Sequence, residues 1–527
     1  MQMQVKNGEW VHNTINIDCR DFPEETAKVE IAFVTQYDNS GKTAQGFVYL
    51  DSIKADNYYF YTECDNKISA DGAETPFAWY EKGSAVTYTV HSSSYKDMDY
   101  IEGIVYNSYG EEVARVKTDS ADDGEKWSYT PDGAGFYSIV FFLSTKTGKR
   151  ICEYTPMKMY YNSVSGKIDY LKWHRKDFYV TPHSRVNMAD RNGFFGLSIS
   201  PDTARYYYDI ADKIGFSFLR LHEIDWRKAE PQNGTYDWSG LDGVFNYLKN
   251  SDDMMFDIIG NVVRTPKWAS SNADSDKYYG YIPSDMTYFT DFMTDIINRY
   301  GGYVDTWEIY NEPHLPGGSV FWNDTAENYV KLLKAGYETA KSETNGNAGV
   351  IMGGIGARRY LSFYRRFIES GGYNYTDKLV MHGKDIDPWN YNAVTDKYGI
   401  EPKGVIDSES HMALLSTADG DIYFTEKESA LNILKEYLKE IKYGVEKNAV
   451  FTLGSIASCE EIDYYKSYVT SAEQQFNILR GKPEVSPRFM TAVIHNLINF
   501  ADKNTVYEDE YKLGDINIVR LKTGNDT

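Results

Sequence analysis

The chain has 527 residues, more than a single hydrophobic core usually organises, so two or more domains are expected. Its formal net charge of -22 would repel phosphate backbones and anionic lipid surfaces, which makes nucleic acid and acidic membranes poor partners. Hydrophobic residues make up 42% of the chain without forming a long apolar run, so no membrane-spanning helix is predicted. A neutral or cationic ligand suits this composition better.

The N-terminus lacks the basic and apolar stretches of a secretory signal. The sequence therefore leaves localisation open between the cytoplasm and, if a signal has been removed, secretion or the cell surface. The four cysteines, Cys19, Cys64, Cys152 and Cys459, lie far apart and form no C-x-x-C pair, which argues against a zinc ribbon or a disulfide-rich scaffold and predicts buried thiols. Nothing in the sequence indicates an oligomeric state.

Residues 1–165 predict a β-sandwich region. Short stretches with alternating or aromatic-rich pattern are separated by Gly, Asp, Asn and Ser turns, among them VEIAFVTQY, AVTYTVHSS, YIEGIVYNS and GFYSIVFFLS. Such a pattern is typical of one or two small sandwiches. Residues 166–190 are interpreted as a linker, and residues 503–527 as the start or part of a C-terminal β module.

Residues 191–502 change to alternating strands and helices. Eight candidate strands follow one another: FFGLSIS, FSFLRLH, MMFDIIG, VDTWEIYNE, GVIMGG, KLVMH, GVIDSE and AVFTLG. Between them, apolar residues recur at three- and four-residue spacing in segments that begin at Met286, Ala326 and Ala430. Eight β-then-α units predict a (β/α)8 TIM barrel. An open doubly wound sheet would need a glycine-rich phosphate loop after FFGLSIS, and none follows; GGIGA at 353–357 is interpreted as a turn.

Catalytic side chains of such barrels come from the carboxyl ends of strands, and two of these ends carry glutamates. Strand alternation in W-E-I-Y-N-E-P puts Glu308, Tyr310 and Glu312 on one face and Asn311 on the other, with Glu312 at the top edge. The seventh strand ends at Glu409. Because strands four and seven face each other, these two carboxylates are placed to flank a glycosidic bond, one protonating the leaving oxygen and one attacking the anomeric carbon.

These motifs resemble glycoside hydrolase clan A, which has Asn-Glu-Pro at the end of strand four and a glutamate at the end of strand seven. FLRLHEIDWRKAEPQNGTYDW and TPKWAS resemble the second- and third-strand regions of the clan, and NEPHLPGGSVFWND resembles family 39 and its relatives. The resemblance covers roughly residues 190–500. It implies a retaining hydrolase of β-linked bonds in an oligo- or polysaccharide, without cofactor or metal.

The resemblance also implies roles for individual residues. Glu312 would be the proton donor and Glu409 the nucleophile. Asn311 would contact the sugar 2-hydroxyl, and Arg220 would keep the nucleophile ionised. His222 and His382 would line the glycone pocket. Four tryptophans in strand-end loops either stack on sugar rings or pack in the core: Trp226, Trp268, Trp322 and Trp389.

Other functions stay open at this point. His222, His314, His382 and His411 near strand ends suggest a metal-dependent barrel hydrolase, although the His-x-His usual on the first strand of that class is missing. A catalytically inactive carbohydrate-binding or scaffold protein is the non-enzymatic alternative, and the presence of both carboxylates argues against it. Sugar and linkage specificity, exo or endo action, and hydrolysis or transglycosylation are left undetermined.

Overall fold

A computed structural model describes residues 60–70, 73–92, 98–148, 150–152, 159–162, 167–170, 176–182, 188–201, 207–249, 256–314, 321–383, 386–410, 426–453, 477–480, 485–514 and 516–523. These residues form an N-terminal β-sandwich, a barrel of parallel strands and a C-terminal hairpin. The predicted strand VEIAFVTQY, His411, Cys19 and Cys459 lie outside the described residues. Cys64 is a buried free thiol.

Thirteen strands precede the barrel in the described part of the chain. They are β1 (Phe60–Cys64), β2 (Lys67–Ala70), β3 (Ala73–Pro76), β4 (Trp79–Glu81), β5 (Val86–Ser92), β6 (Tyr100–Asn107), β7 (Glu112–Lys117), β8 (Lys126–Tyr129), β9 (Gly135–Ser144), β10 (Arg150–Cys152), β11 (Met159–Asn162), β12 (Lys167–Tyr170) and β13 (Lys176–Thr181). One sheet has the order β1-β5-β8, and a second has the order β4-β13-β9-β6-β7 with β10 beside β9. β2 with β3 and β11 with β12 form separate hairpins.

The two sheets enclose a hydrophobic core. Alternate residues of β5 are buried, and Tyr88 packs its ring 5.1 Å from that of Phe141 on the facing sheet. β13 runs between β4 and β9, with Phe178 in this core and Tyr179 on the opposite face, toward the barrel. Since β13 lies within the stretch interpreted as a linker, the sandwich sheet extends beyond residue 165.

The barrel confirms the predicted (β/α)8 class. Its eight parallel strands are β14 (Phe195–Ile199), β15 (Phe218–Asp225), β16 (Asp257–Val263), β17 (Thr306–Ile309), β18 (Gly349–Met352), β19 (Leu379–Met381), β20 (Val405–Ser410) and β21 (Val445–Phe451). Each of these strands overlaps one of the eight predicted stretches. Their order is β18-β17-β16-β15-β14-β21-β20-β19, and a parallel bridge from Ile355 to Met381 joins the two ends into a nearly closed barrel. The inner faces of strands two, four and seven therefore look toward one another.

Helices alternate with the barrel strands. In the described ranges they are α1 (Tyr208–Ile214), α2 (Trp226–Ala229), α3 (Ser239–Lys249), α4 (Met286–Tyr300), α5 (Ala326–Glu343), α6 (Leu361–Glu369), α7 (Pro388–Tyr398), α8 (Glu426–Lys442) and α9 (Phe489–Phe500). The helices predicted from Met286 and Ala326 begin at those residues. The third begins at Glu426, before the predicted Ala430. None of the helices in these ranges has the length and apolar character needed to cross a bilayer.

Short strands follow the barrel: β22 (Leu479–Arg480), β23 (Ser486–Pro487), β24 (Val506–Leu513) and β25 (Ile516–Lys522). The last two pair as an antiparallel hairpin, so C-terminal strands are present as predicted. Between them and the barrel, α9 carries His495 into the contact between sandwich and barrel. The His495 ring lies 4.8 Å from Trp79 and 5.6 Å from Tyr179, and its Nε2 is 2.9 Å from Thr181 Oγ1.

Trp79 is the largest side chain in this contact, so replacing it tests how strongly the sandwich stabilises the barrel. We expect Trp79→Ala to lower the free energy of unfolding by about 3–5 kcal/mol, because a fully buried indole is lost and leaves a cavity. Urea denaturation followed by circular dichroism measures the change. Trp389→Ala removes an indole that is 47% exposed and should leave the midpoint nearly unchanged. Equal effects of the two variants would contradict a tightly packed contact.

Candidate active site

The centre of the barrel is occupied by the guanidinium of Arg220 on β15, which is fully buried. Nε and Nη2 donate to both oxygens of Glu308, at 2.5 and 3.0 Å, and Nη1 donates to Glu409 Oε1 at 2.6 Å. Nη2 also donates to Asn311 Oδ1 at 2.9 Å, and Nη1 to Ser198 Oγ at 3.2 Å. The structure thus brings together Arg220, Asn311 and Glu409, as the resemblance implies.

Glu308 is a site residue that the sequence analysis did not assign. It lies on β17, is fully buried and forms a two-pronged ion pair with Arg220. The signal was present in the sequence, because a glutamate in the middle of the buried strand TWEI needs a cation partner. Its partner could not be identified without the barrel geometry.

The chain departs from strand geometry after Ile309. Tyr310 and Glu312 have φ angles of 70° and 41°, in the left-handed region that non-glycine residues rarely adopt. These turns carry Asn311 to the side of Arg220, while the Tyr310 ring packs 4.9 Å from Trp322. The predicted alternation is therefore wrong at Asn311 and Tyr310. Backbone strain of this kind is common where a functional side chain must be positioned.

His382 follows β19 and joins the two predicted catalytic carboxylates. Its Nδ1 lies 3.1 Å from Glu312 Oε1 and 3.6 Å from Glu409 Oε2, and its Nε2 lies 3.1 Å from Ser408 Oγ. Ser408 Oγ in turn donates to Glu308 Oε1 at 3.3 Å. His382 is buried behind the carboxylates, whereas the resemblance implies a residue lining the pocket.

This chain of hydrogen bonds has a defined direction. The carboxylate of Glu308 only accepts, so the Ser408 hydroxyl donates to it and its oxygen accepts from His382 Nε2. Nε2 therefore carries a proton, and Nδ1 is the nitrogen that faces Glu312.

The charges around His382 and Glu409 stabilise their ionised forms. Burial raises the pKa of Glu409, but the positive charges of His382 and Arg220 outweigh it and lower the pKa to about 2. Burial lowers the pKa of His382, but the charge of Glu409 and the hydrogen bond to Glu312 raise it to about 8. Glu409 is thus a carboxylate and His382 an imidazolium at neutral pH.

The shared contact with His382 limits the distance between the two carboxylates. Glu312 Oε1 and Glu409 Oε2 lie no farther apart than the sum of their distances to Nδ1, about 6.7 Å. Glu312 retains a side chain that is 24% exposed and Glu409 one that is 14% exposed, so both reach the mouth of the barrel. Retaining glycosidases place their carboxyl groups about 5–5.5 Å apart and inverting enzymes about 6.5–9.5 Å apart.

A glycine provides the space for His382. A Cβ on Gly354, in the stretch interpreted as a turn, would lie 2.1 Å from Cδ2 and Nε2 of the imidazole. The next residue, Ile355, forms the bridge that closes the barrel. GGIGA thus closes the seam between strands five and six and leaves room for the histidine.

The other histidines of the site are not arranged as metal ligands. His222 Nδ1 is 3.1 Å from Ser198 Oγ, and burial, with the charges of Arg220 and Arg264, lowers its pKa to about 3. His314 Nε2 accepts from Gly356 N at 3.3 Å, and burial lowers its pKa to about 4. No group of three His, Cys, Asp or Glu side chains suited to a metal ion occurs among the described residues.

The four tryptophans occupy different environments. Trp226 and Trp322 are fully buried, with indole N–H groups bonded to Glu230 Oε2 at 2.7 Å and to Thr325 O at 3.0 Å. Neither indole face is open to a ligand, which corrects the stacking interpretation for these two residues. Trp268 is half-buried and lies 5.3 Å from the Tyr288 ring, and Trp389 is exposed at the start of α7.

A second ion pair at the barrel mouth was also missed. Arg264 Nη1 donates to Glu223 Oε2 at 2.5 Å, at the ends of strands three and two. Both residues have positive φ angles, 67° for Arg264 and 62° for Glu223. Positive φ values at charged residues cannot be read from a sequence.

Two comparisons with known proteins bear on this site. A profile of the β-galactosidase family 42 of glycoside hydrolases matches residues 199–274, a stretch that includes β15 and Arg220. The fold is similar to that of a family 39 glycoside hydrolase from the gut symbiont Bacteroides cellulosilyticus WH2, with a TM-score of 0.60 and 16% identity over 85% of this chain and 86% of that chain. The comparisons support glycoside hydrolase clan A.

Weaker matches include two β-glucuronidases. A β-glucuronidase from Ruminococcus gnavus in complex with D-glucuronic acid has a TM-score of 0.36 and 9% identity, covering 83% of this chain and 67% of that chain. A β-glucuronidase from Bifidobacterium dentium has a TM-score of 0.38 and 12% identity, covering 84% and 66%. Likenesses at this level do not bear on the substrate.

The charge state of His382 can be measured directly. In nitrogen-15 NMR spectra, we expect the His382 imidazole to titrate with a pKa of about 8. Glu409→Gln should lower this pKa, because it removes the negative charge that most strongly opposes the effect of burial. Glu446→Gln, at the opposite end of the barrel where Glu446 binds Lys378, should leave it unchanged. An unaltered titration in Glu409→Gln would contradict the assigned coupling.

Proposed function

We propose that the chain is a retaining glycoside hydrolase that cleaves β-linked bonds of an oligo- or polysaccharide by double displacement. The observation that carries the proposal is the arrangement of Glu312 and Glu409 around one imidazole nitrogen, which keeps Glu312 Oε1 within about 6.7 Å of Glu409 Oε2. The separation of the carboxyl groups in retaining enzymes falls within this limit.

In the first step, Glu409 attacks the anomeric carbon and the bond to the leaving oxygen breaks as Glu312 protonates that oxygen. Glu409 suits the first role because it is ionised and its charge is held by Arg220 at 2.6 Å. Glu312 suits the second because it shares a proton with His382. In the second step, water attacks the glycosyl-enzyme and returns its proton to Glu312.

Asn311 supports the transition state between these steps. Arg220 holds the Asn311 carbonyl oxygen, so the amide N–H group is the end that remains to donate to the sugar 2-hydroxyl. A hydrogen bond there strengthens as positive charge develops on the sugar ring. Trp389, with its exposed indole, and the half-buried Trp268 are the two predicted tryptophans that still suit a sugar contact.

The alternatives have weaker support. A metal-dependent hydrolase needs several imidazole nitrogens converging on one point; both nitrogens of His382 are bonded, to Glu312 and to Ser408, and no group of three metal-binding side chains occurs among the described residues. A scaffold that had lost activity would not need an ion-pair network of Arg220, Glu308 and Glu409 maintained at the barrel centre, since buried charges are costly unless all partners are present.

Variants of the two carboxylates test the mechanism on a panel of aryl glycosides and polysaccharides. Glu409→Ala should abolish turnover and regain it with azide, giving a product of inverted configuration, because a small anion enters the vacated position. Glu312→Ala should lower the turnover rate about 10²–10⁴-fold on substrates with poor leaving groups. The loss should be much smaller on activated aryl glycosides, since their leaving groups need no protonation. Product anomers are followed by proton NMR.

The matched control for these variants is Glu446→Gln, which changes a glutamate at the opposite end of the barrel. It should retain the wild-type turnover and a product of retained configuration. Activity that survives in both alanine variants, or that a chelator abolishes, would refute the two-carboxylate mechanism.

The pH dependence provides a second test. The pKa of His382 is raised to about 8, so the pair it forms with Glu312 keeps its proton below this pH and loses it above. We therefore expect kcat/KM to fall above about pH 8. His382→Gln should move this alkaline limb to lower pH, because the imidazole that retains the proton is gone. An unchanged limb in His382→Gln would contradict the shared proton.

A further inference from the structure

Two carboxyl groups lie against each other behind the strand that carries Glu409. Asp407 on β20 and Glu440 on α8 are both fully buried, and Asn448, which lies opposite Asp407 in the sheet, donates to Glu440, so the two carboxyl groups are close neighbours. Within the described residues, neither carboxyl group forms an ion pair with a lysine or arginine. Two carboxylates in contact in such a dry environment cannot both be ionised, so the pair must hold a proton.

The hydrogen bonds indicate which group is the carboxylate. Asp407 accepts hydrogen bonds from two backbone N–H groups, Gly383 N at 3.1 Å and Glu409 N at 3.1 Å. Both bonds need an acceptor oxygen, which a carboxylate provides. Among the described residues, Glu440 accepts one hydrogen bond, from Asn448 Nδ2 to its Oε2 at 2.6 Å. Its Oε1 is buried without a donor among the described residues.

The surrounding charges favour the same distribution. Burial raises the pKa of Asp407, whereas a hydrogen bond from Glu440 and the charge of His382 lower it. The resulting pKa is about 6. Burial and the charges of Asp407 and Glu436 raise the pKa of Glu440 well above its ordinary value. The other titratable groups near the pair are the tyrosines of α7 and α8, Tyr391 and Tyr437.

We propose that Glu440 is a neutral carboxylic acid in the working protein, that it donates its proton to Asp407, and that this pair positions the backbone of Glu409. No covalent bond changes; the proton stays on Glu440 Oε1 and is shared with Asp407. Both are positioning residues, because neither reaches the barrel mouth. Only the statement that Glu409 is the nucleophile rests on the proposed function.

The positions of the hydrogen bonds explain why the pair affects Glu409. Asp407 binds the N–H groups of Glu409 and of Gly383, which follows His382, so it connects the backbones of the two residues that meet at the reaction site. Pairing of β20 with β21 shifts register between Asp407 and Ser410. Ser410 Oγ donates to Asn448 Oδ1 at 2.6 Å, so Asn448 connects this shifted segment to Glu440.

Two isosteric substitutions, Glu440→Gln and Asp407→Asn, test the assignment. The amide of Glu440→Gln donates to Asp407 as the acid does and accepts from Asn448, so we expect kcat to change only a few-fold. The amide of Asp407→Asn brings N–H groups toward the backbone N–H donors, so we expect kcat to fall on the order of a hundredfold with KM little changed, as Glu409 is displaced. A purely space-filling pair would respond equally to both substitutions.

Two measurements do not require activity. The infrared difference spectrum of wild type against Glu440→Gln should show a protonated carboxyl band at neutral pH that is absent from the variant. The melting temperature of Glu440→Gln relative to wild type should rise from acidic to alkaline pH, because a raised carboxyl pKa in the folded state costs stability as the solution pH increases.

The outcomes separate the proposals. A missing carboxyl band, or an Asp407→Asn variant that is mild while Glu440→Gln is severe, would overturn the assignment even in an active enzyme. If Asp407→Asn does not fold, the infrared and melting data for Glu440→Gln still decide. A chain without glycosidase activity that shows the band and the pH-dependent melting would refute the proposed function and leave the acid–carboxylate pair in place.

Discussion

The barrel interior depends on the buried cation of Arg220. Arg220 is held inside the barrel by Glu308 and Glu409, and only this pairing makes a buried guanidinium tolerable, because the surroundings cannot solvate it. These partners come from strands two, four and seven, so the ion pairs connect strands that are not neighbours in the barrel. Glu409, the proposed nucleophile, is therefore also part of what determines the arrangement of the barrel interior.

The same network sets the direction of the hydrogen bonds in the site. Glu308 does not reach the mouth of the barrel, yet it sets the direction of the hydrogen bonds that run through Ser408 to His382 and Glu312. A carboxylate at one end of the chain leaves only one nitrogen of His382 able to exchange a proton. In the proposed mechanism, residues without contact to the substrate thus determine which carboxyl group acts as the acid.

The barrel could be predicted from the sequence because its strands are short apolar runs separated by periodic helices, and all eight were located in this way. Glu312 and Glu409 could be predicted because they occupy strand ends. Contacts between distant strands could not, and neither could the backbone turns at Tyr310 and Glu312, so Glu308, Asp407 and Glu440 were missed. Two tryptophans in predicted loops are core residues because helices fold back over them.

The contact between the sandwich and the barrel limits how far the two can be treated as exchangeable modules. β13 presents Phe178 to one core and Tyr179 to the other, so adjacent residues of one strand belong to different domains. A barrel separated from the sandwich would expose the apolar surface that Trp79 and Tyr179 now cover, and such a surface favours aggregation. Recombination with other β-domains would therefore have to preserve this strand, and evolution of the sandwich is tied to that of the barrel.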